Sequence, residues 1–451
     1  MLLTNTDFKT LLEKLLTQLK EKKESSILSI DGEHIPLVRL SARLHVGNLL
    51  LWLSSQPYYP KAYFQDSNTG KTIIGLGSIF SIHSLPEIKA VRGKDISRLK
   101  LFGGMDFFGK PRKTALWKNF PPHFFFLPMI EIEQEGKEAI LYLNMITPHN
   151  SFANYFQSLE LILSSLDFSS CSTFASAKRI LKRLDTPSFD DWEINVGDAL
   201  HEIHSASFKK IVLARKTSLT FSEKLNPLQL LASPKGVAKN SAIFAFQFAP
   251  NEAFIGSSPE ILYERLYLNI RSAAIAGTRP RGRSLKKDKQ LLQELLNSDK
   301  DQREFDFVRT FMEKQLQKLC TELNGNMPLQ VIQTDTVQHI YKIFEGTLKS
   351  EDNLDKKLIS HLHPTPAMGG FPQTAAINFL YNLEIFDRGW YASPIGYLSC
   401  DASKFYIGIR SALVQDNVVH AFAGTGIVKG STAQKEWEEL NYKISHFSGS
   451  K

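Results

Sequence analysis

Cysteine is scarce in this chain. Cys171, Cys320 and Cys400 are the only three. They lie far apart with no paired spacing, which argues against a disulfide framework and against a cysteine-based zinc site. A reducing, cytoplasmic setting is expected. Long apolar runs are also missing. None approaches the length that spans a bilayer, so no membrane association is expected. The opening MLLTNTDFKTLLEKLLTQLKEKKESS carries acidic and basic residues between its apolar positions, so it is not read as a signal peptide. There is no internal repeat, no low-complexity tract, and no nucleic-acid module with interleaved aromatics, so no nucleic-acid partner is expected.

What is present is an ordinary globular composition. The 451 residues are 43% hydrophobic and 22% charged, enough for one large fold or two to three domains. Lys+Arg 54 against Asp+Glu 46 gives a net charge of +8. Such an excess suits an enzyme that takes a small anion, because positive potential speeds the encounter.

Helical spacing of Phe8, Leu11, Leu12, Leu15, Leu16 and Leu19 predicts a core-facing amphipathic helix over about Asp7–Lys23. From Ser26 to about Ile146 the pattern predicts strands: SILSID, VRLSARLHV, LLWLSSQ, KTIIGLGSIFSI, FFFLPMIEIE and EAILYLNM, divided by turn residues. A helical region is expected from about Phe152 to Leu184. The stretch TPSFDD is the best break, with Ser188 or Asp190 capping a following helix. The chain is therefore divided into a strand-rich region over 1–185 and a second region over 186–448, within one shared fold.

The second region holds the chemistry candidates. FKKIVLARKTSLTF predicts a strand that Lys210 enters. A lysine there can be desolvated into a base or can snorkel at a strand end. Glu260 follows Gly256-Ser257-Ser258-Pro259, either as a carboxyl with a raised pKa or as a plain turn residue. Asp301 and Glu304 share one helix face, as do Glu436 and Glu439 with Lys443. Two such carboxylate pairs suit one hard divalent cation, or are simply solvated faces. Small residues from Ala423 to Gly426 precede the second helix, as a sharp glycine bend or a close approach to a ligand. His339 lies inside VQHIYKIFEG, where a hydrogen-bonded core role is the alternative to ligand contact. DRGWYASPIGYLS and KFYIGIRSALVQ predict two strands carrying Tyr391 and Arg410 as donors to a carboxylate. The basic run Arg279, Arg281, Arg283, Lys286, Lys287 and Lys289 reads as a solvated loop. Residues alone lead to an anion site with a divalent cation and acid–base groups.

The second region also resembles the chorismate-utilising enzymes, and looks most like their isochorismate-forming, menaquinone-type branch. The matching pieces, in the family's order, are KIVLAR (210–215), SSPE (257–260), AGTRPRG (276–282), DQRE (301–304) and VQHIY (337–341). HPTPAMGGFP (363–372), RGWYASPIG (388–396), IGIRSAL (407–413) and AGTGIVKGSTAQKEWEELNYK (423–443) follow. The first region is a looser match. The resemblance implies a single large α/β (α+β) fold, with stacked, mainly antiparallel sheets and helices on the outside. It implies Mg²⁺-dependent isomerisation of chorismate to isochorismate by a monomer or weak homodimer. Lys210 takes the place of the general base and Glu260 that of the general acid. Glu304 and Glu439 match the Mg²⁺ ligands, with Asp301 and Glu436 beside them. Asp301 stands where some relatives have Glu. Tyr391, Arg410, Gly426 and Lys443 match substrate-carboxylate contacts. Gly277, Thr278 and His339 match positions on the ring side of the substrate.

Within that family, ammonia users making anthranilate or aminodeoxychorismate tend to carry Gln at the position of Lys210 and Thr at that of Ala367. Salicylate synthases keep the lysine but carry the threonine. Lys210 together with Ala367 therefore implies water as nucleophile and isochorismate as end product. A non-catalytic anion- or nucleic-acid-binding protein that keeps the fold is the reading of a different class. The destination of the isochorismate, whether menaquinone, a siderophore or salicylate, is not written in the residues.

Overall fold

A computed structural model describes residues 5–22, 24–45, 47–147, 155–167, 179–231, 240–324, 328–333, 337–350 and 352–448. Cys171 lies outside them. The described strands join through hydrogen bonds into one continuous network of 22 strands, and the pairings among them are antiparallel. Helices pack on the outside. Strands alternate their side chains, so each sheet buries two faces. One apolar cluster is rich in aromatic rings, including Phe64, Phe102, Trp117, Phe254, Trp390 and Phe422. A second, mostly aliphatic cluster receives Leu11, Leu15 and Leu19 from the first helix, Asn5–Glu21. The expected amphipathic helix is thus where its leucine spacing placed it.

Strands from the two regions interleave. Lys61–Asp66 pairs with Ala242–Ala249, with Phe64 opposite Phe244. Leu101–Met105 pairs with Pro394–Leu398, with Gly103 opposite Gly396. The close approach is strict at Gly389. Its φ is +54°, and a Cβ there would lie 2.2 Å from the Trp117 ring.

Several expected elements differ. LLWLSSQ is not a strand. Leu49–Ser55 is a helix, because Asn48 caps it by accepting from the backbone of Leu50 and Leu51. Four of its residues, Leu49, Leu50, Trp52 and Leu53, are buried on a helical spacing rather than a period of two. The expected helical stretch after residue 152 is helical over Tyr155–Ser164, but Ile180–Thr186 is a strand. It pairs with Lys210–Phe221, and that ladder overrides the mixed local pattern of RILKRLD. The small-residue stretch Ala423–Gly426 makes no bend. It lies within the strand Val418–Ile427, whose twelve-residue partner is Lys210–Phe221.

The break at TPSFDD begins a helix, Phe189–His204. Ser188 caps it, its hydroxyl accepting from the Asp191 backbone N–H. The helical stretch after Gly282 divides at Ser298 into Leu285–Leu296 and Asp299–Leu319.

Candidate active site

The cavity forms where four elements meet. Lys210–Phe221 and Val418–Ile427 run side by side, with Val212 opposite Gly426 and Ala214 opposite Gly424. The helices Asp299–Leu319 and Ala433–Ser448 face this pair of strands and carry the two carboxylate pairs. Asn269–Pro280 pairs with Val337–Leu348. A bulge between Ala276 and Thr278 is centred on Gly277 at φ +70° and sets Thr278 opposite His339. A bulge re-aims the side chains next to it. The enclosed volume is about 360 Å³, within the range of small-molecule sites.

Of the fourteen candidate residues, thirteen line this cavity: Glu260, Gly277, Thr278, Asp301, Glu304, His339, Ala367, Tyr391, Arg410, Gly426, Glu436, Glu439 and Lys443. Lys210 stands just behind the wall, 1% exposed, with Nζ 2.9 Å from Glu304 Oε1. Gly426 is a close approach. A Cβ there would lie 2.7 Å from Glu304 Oε1 and 3.0 Å from Lys210 Cε.

Each of the four helix carboxylates is held by a cation. Glu304 pairs with Lys210, and Asp301 accepts from Arg279 at 2.6 Å. Glu436 accepts from Lys300 at 3.0 Å and from the Thr425 hydroxyl at 2.6 Å. Glu439 pairs with Lys443 at 2.6 Å, and Lys443 also donates to the Gly424 carbonyl at 2.8 Å. Burial alone would raise the Glu439 carboxyl, but Lys443, Lys300 and Arg410 hold it below the usual range. Because the carboxylates are drawn to separate cations, no group of three or more Asp, Glu, His or Cys among the described residues converges as a finished metal cage. The donor set is all carboxylate oxygen, two groups from each helix, and that is the chemistry a hard divalent cation prefers.

Glu260 is the contrasting acid. It is 5% exposed, and burial pushes its carboxyl up to about 7 against the opposing pull of Lys210. At neutral pH it is poised to give a proton. His339 is also buried. Burial, with Arg410 and Lys443 nearby, pushes its imidazole down to about 3, so the ring is neutral. Its Nδ1 lies 3.2 Å from the Gly277 carbonyl and 3.0 Å from Thr278 Oγ1. A carbonyl only accepts, which assigns the proton to Nδ1. Nε2 is then an acceptor, and it has no partner among the described residues.

Tyr391 and Arg410 are not on strands as expected. Tyr391 sits in the turn before Pro394–Leu398. Its ring stacks on Phe422 at 5.2 Å, and burial pushes its phenol up. KFYIGIRSALVQ breaks at Gly408–Arg410, between Ala402–Ile407 and Ser411–Gln415. Arg410 takes φ +50°, a conformation that costs a non-glycine residue energy and recurs at functional sites. Among the described residues its guanidinium makes no hydrogen bond, while the carboxylates around it are paired. It is a cation of the cavity wall without a hydrogen-bonded partner among the described residues.

Sequence reasoning missed Arg279, Lys300, Thr425 and Arg388. Arg279 was grouped with a solvated run, yet it reaches Asp301. Lys300 lies one residue before Asp301 on the same helix. Arg388 is fully buried and lines the cavity, with Nε 2.8 Å from Glu384 Oε2 and Nη2 donating to the Val212 carbonyl at 2.7 Å. Only the motif RGWYASPIG pointed towards it.

An α/β fold of stacked antiparallel strands thus encloses a cavity with paired carboxylates, an unpaired guanidinium and a carboxyl whose pKa is raised by burial, the outline of an enzyme for a small anionic substrate. The sequence profile of the chorismate binding enzymes matches residues 23–449, and the chain belongs to that family. It is 30% identical to isochorismate synthase MenF of Escherichia coli over 410 residues, 88% of this chain and 89% of that one. It is 32% identical to the chloroplastic isochorismate synthase of Catharanthus roseus over 377 residues, 82% of this chain but 65% of the plant protein's length. The solved structure of the menaquinone-specific isochorismate synthase MenF of Escherichia coli superposes with a TM-score of 0.83, covering 98% of both chains at 27% identity. Anthranilate synthase component I of Streptococcus pneumoniae shares the fold at 19% identity, with a TM-score of 0.68. Among the described residues no helix is long and apolar enough to cross a membrane.

Proposed function

We propose that this protein is an isochorismate synthase that converts chorismate to isochorismate in a menaquinone branch, with Mg²⁺ as its metal. The observation that carries the reading is the likeness to MenF across nearly the whole of both chains. In this reading Glu260 serves as the acid and Lys210 as the base.

Water adds at C2 of the ring, and the hydroxyl at C4 departs as water, so the product is an isomer of the substrate. Glu260, whose carboxyl is pushed up to about 7 and so keeps a protonated fraction at neutral pH, gives its proton to the departing hydroxyl. Lys210 takes a proton from the attacking water, which it does only as the free amine. Its ion pair with Glu304 is therefore broken in the working site. Arg410, Tyr391 and Lys443 hold substrate carboxylates, Arg410 being free to grip one bidentately. Gly426 leaves the backbone room to approach. Gly277 and Thr278 fix His339, whose Nε2 accepts from a ring hydroxyl. Glu304 and Glu439, with Asp301 and Glu436, would hold the Mg²⁺, and when bound the metal supplies charge compensation and orientation for a substrate carboxylate. Ala367 leaves the site without a hydroxyl at the position associated with pyruvate elimination.

The test is a product assay. Chorismate and Mg²⁺ are incubated with purified protein, the products are separated by chromatography, and pyruvate is assayed in the same tube. The expected result is one new isomer, no pyruvate, and loss of activity with a chelator. Salicylate with pyruvate would make it a salicylate synthase. Turnover only with ammonium would overturn the roles of Lys210 and Ala367.

A further inference from the structure

A second pocket of about 200 Å³ borders the cavity. Four cations line it, Lys209, Lys300, Arg303 and Lys429, over an apolar floor that includes Phe307 and Val428. No acidic side chain lines it. Phe307 is fixed there by stacking on Phe371 at 5.4 Å.

The sequence sets this pocket back to back with the cavity. Lys210 is buried behind the cavity wall, and its neighbour Lys209 is exposed outside. On the helix Asp299–Leu319, Asp301 and Glu304 face the cavity, whereas Arg303 is exposed in the outer pocket. Past Gly426, the chain emerges at exposed Lys429. Lys300 belongs to both spaces. Its side chain is 40% exposed, yet its amine reaches Glu436. The two spaces therefore meet at Lys300. Among the described residues no carboxylate pairs with Lys209, Arg303 or Lys429. Arg303 Nε donates to the Asp299 carbonyl, a neutral acceptor. These three like charges, gathered without a carboxylate partner among the described residues, are mutually unfavourable, and they focus positive potential at the rim.

We infer that this four-cation pocket is a capture site where the dicarboxylate substrate first docks before passing Lys300 into the cavity. The inference rests on the reading that the substrate is chorismate. The dianion gains from the outer cations before it displaces any inner ion pair, and Phe307 and Val428 give its apolar edge a surface to lie on. Lys209, Arg303 and Lys429 act on arrival alone, since none reaches the reacting atoms.

The test compares wild type with the triple variant Lys209→Gln, Arg303→Gln, Lys429→Gln, using chorismate at several NaCl concentrations. At low ionic strength kcat/KM is expected to fall roughly tenfold, the lower end of electrostatic capture effects, with kcat within about twofold of wild type. The gap should close as salt screens the charges. The charge-preserving triple Lys209→Arg, Arg303→Lys, Lys429→Arg should keep wild-type values. An unchanged kcat/KM at low salt would overturn the capture site and leave the functional reading intact, as would a loss that appears in kcat or survives high salt. A wild type that does not turn over chorismate would overturn the functional reading itself.

Discussion

Replacing Glu260 by Gln separates catalysis from stability in one variant. The side chain keeps its size and loses its proton. If Glu260 is the general acid, kcat falls by roughly 10²–10⁴, about 3–5 kcal/mol of barrier at 1.36 kcal/mol per tenfold. Wild-type kcat/KM should fall as pH rises through about 7, where the carboxyl of the free enzyme ionises, and the variant should lack that limb. The stability effect has the opposite sign. The carboxyl holds its proton to about pH 7 in the fold, against an ordinary value of 4.5. Between those values the unfolded state binds fewer protons, so wild-type stability falls as pH rises through that window. The displacement corresponds to about 3 kcal/mol. Glutamine has no such penalty. Urea unfolding at pH 4.5 and pH 8 should therefore show the variant gaining on wild type by up to about 3 kcal/mol at the higher pH only. A variant with full kcat, or one whose stability relative to wild type does not depend on pH, would refute this account of Glu260.

Lys210→Ala should lower kcat by roughly 10²–10⁴, read in the same chromatographic assay. Gly426→Ala places a methyl group 2.7 Å from Glu304 Oε1. The Glu304–Lys210 pair must shift, and kcat should drop at least tenfold while circular dichroism stays that of wild type. Ala367→Thr should release pyruvate from chorismate, detected by coupling to lactate dehydrogenase. An absence of pyruvate would refute the role given to Ala367 without touching the isomerase reading. Arg388→Met leaves Glu384 buried without its partner, and urea denaturation should show a loss of about 3–5 kcal/mol.

The sequence made the site more legible than the fold around it. Lys210, Glu260 and the two acidic pairs stand in motifs whose order along the chain carries information, so they could be named before any contact was visible. What spacing cannot show is which cation each carboxylate meets. Arg279 looks like one member of a solvated run because it heads a string of basic residues, and its bond to Asp301 joins residues 22 positions apart on different elements. Lys300 reaches Glu436 across 136 positions of sequence, a distance no local pattern reports. Ile180–Thr186 was misread for a similar reason. Its strand character comes from pairing with Lys210–Phe221, not from its own residues. Leu49–Ser55 was different, since Asn48 is a local cap and could have been read. At Arg410 the break depends on packing under it: a Cβ at Gly408 would lie 2.7 Å from the Trp390 carbonyl.

The interleaving of strands has a consequence for how the cavity comes into being. Phe64 must find Phe244, and Gly103 must find Gly396, before the sheets beneath the cavity are closed. Joining such remote segments costs loop entropy before contacts repay it, and folding dominated by such pairings is slow. As it emerges from the ribosome, the chain cannot build its carboxylate helices onto a finished support until Val418–Ile427 has arrived beside Lys210–Phe221. Residues 186–448 expressed alone would present the open edges of Ala242–Ala249 and Pro394–Leu398, and exposed edges of that kind invite aggregation. The sheets that carry the site are thus closed only by strands from both parts of the chain.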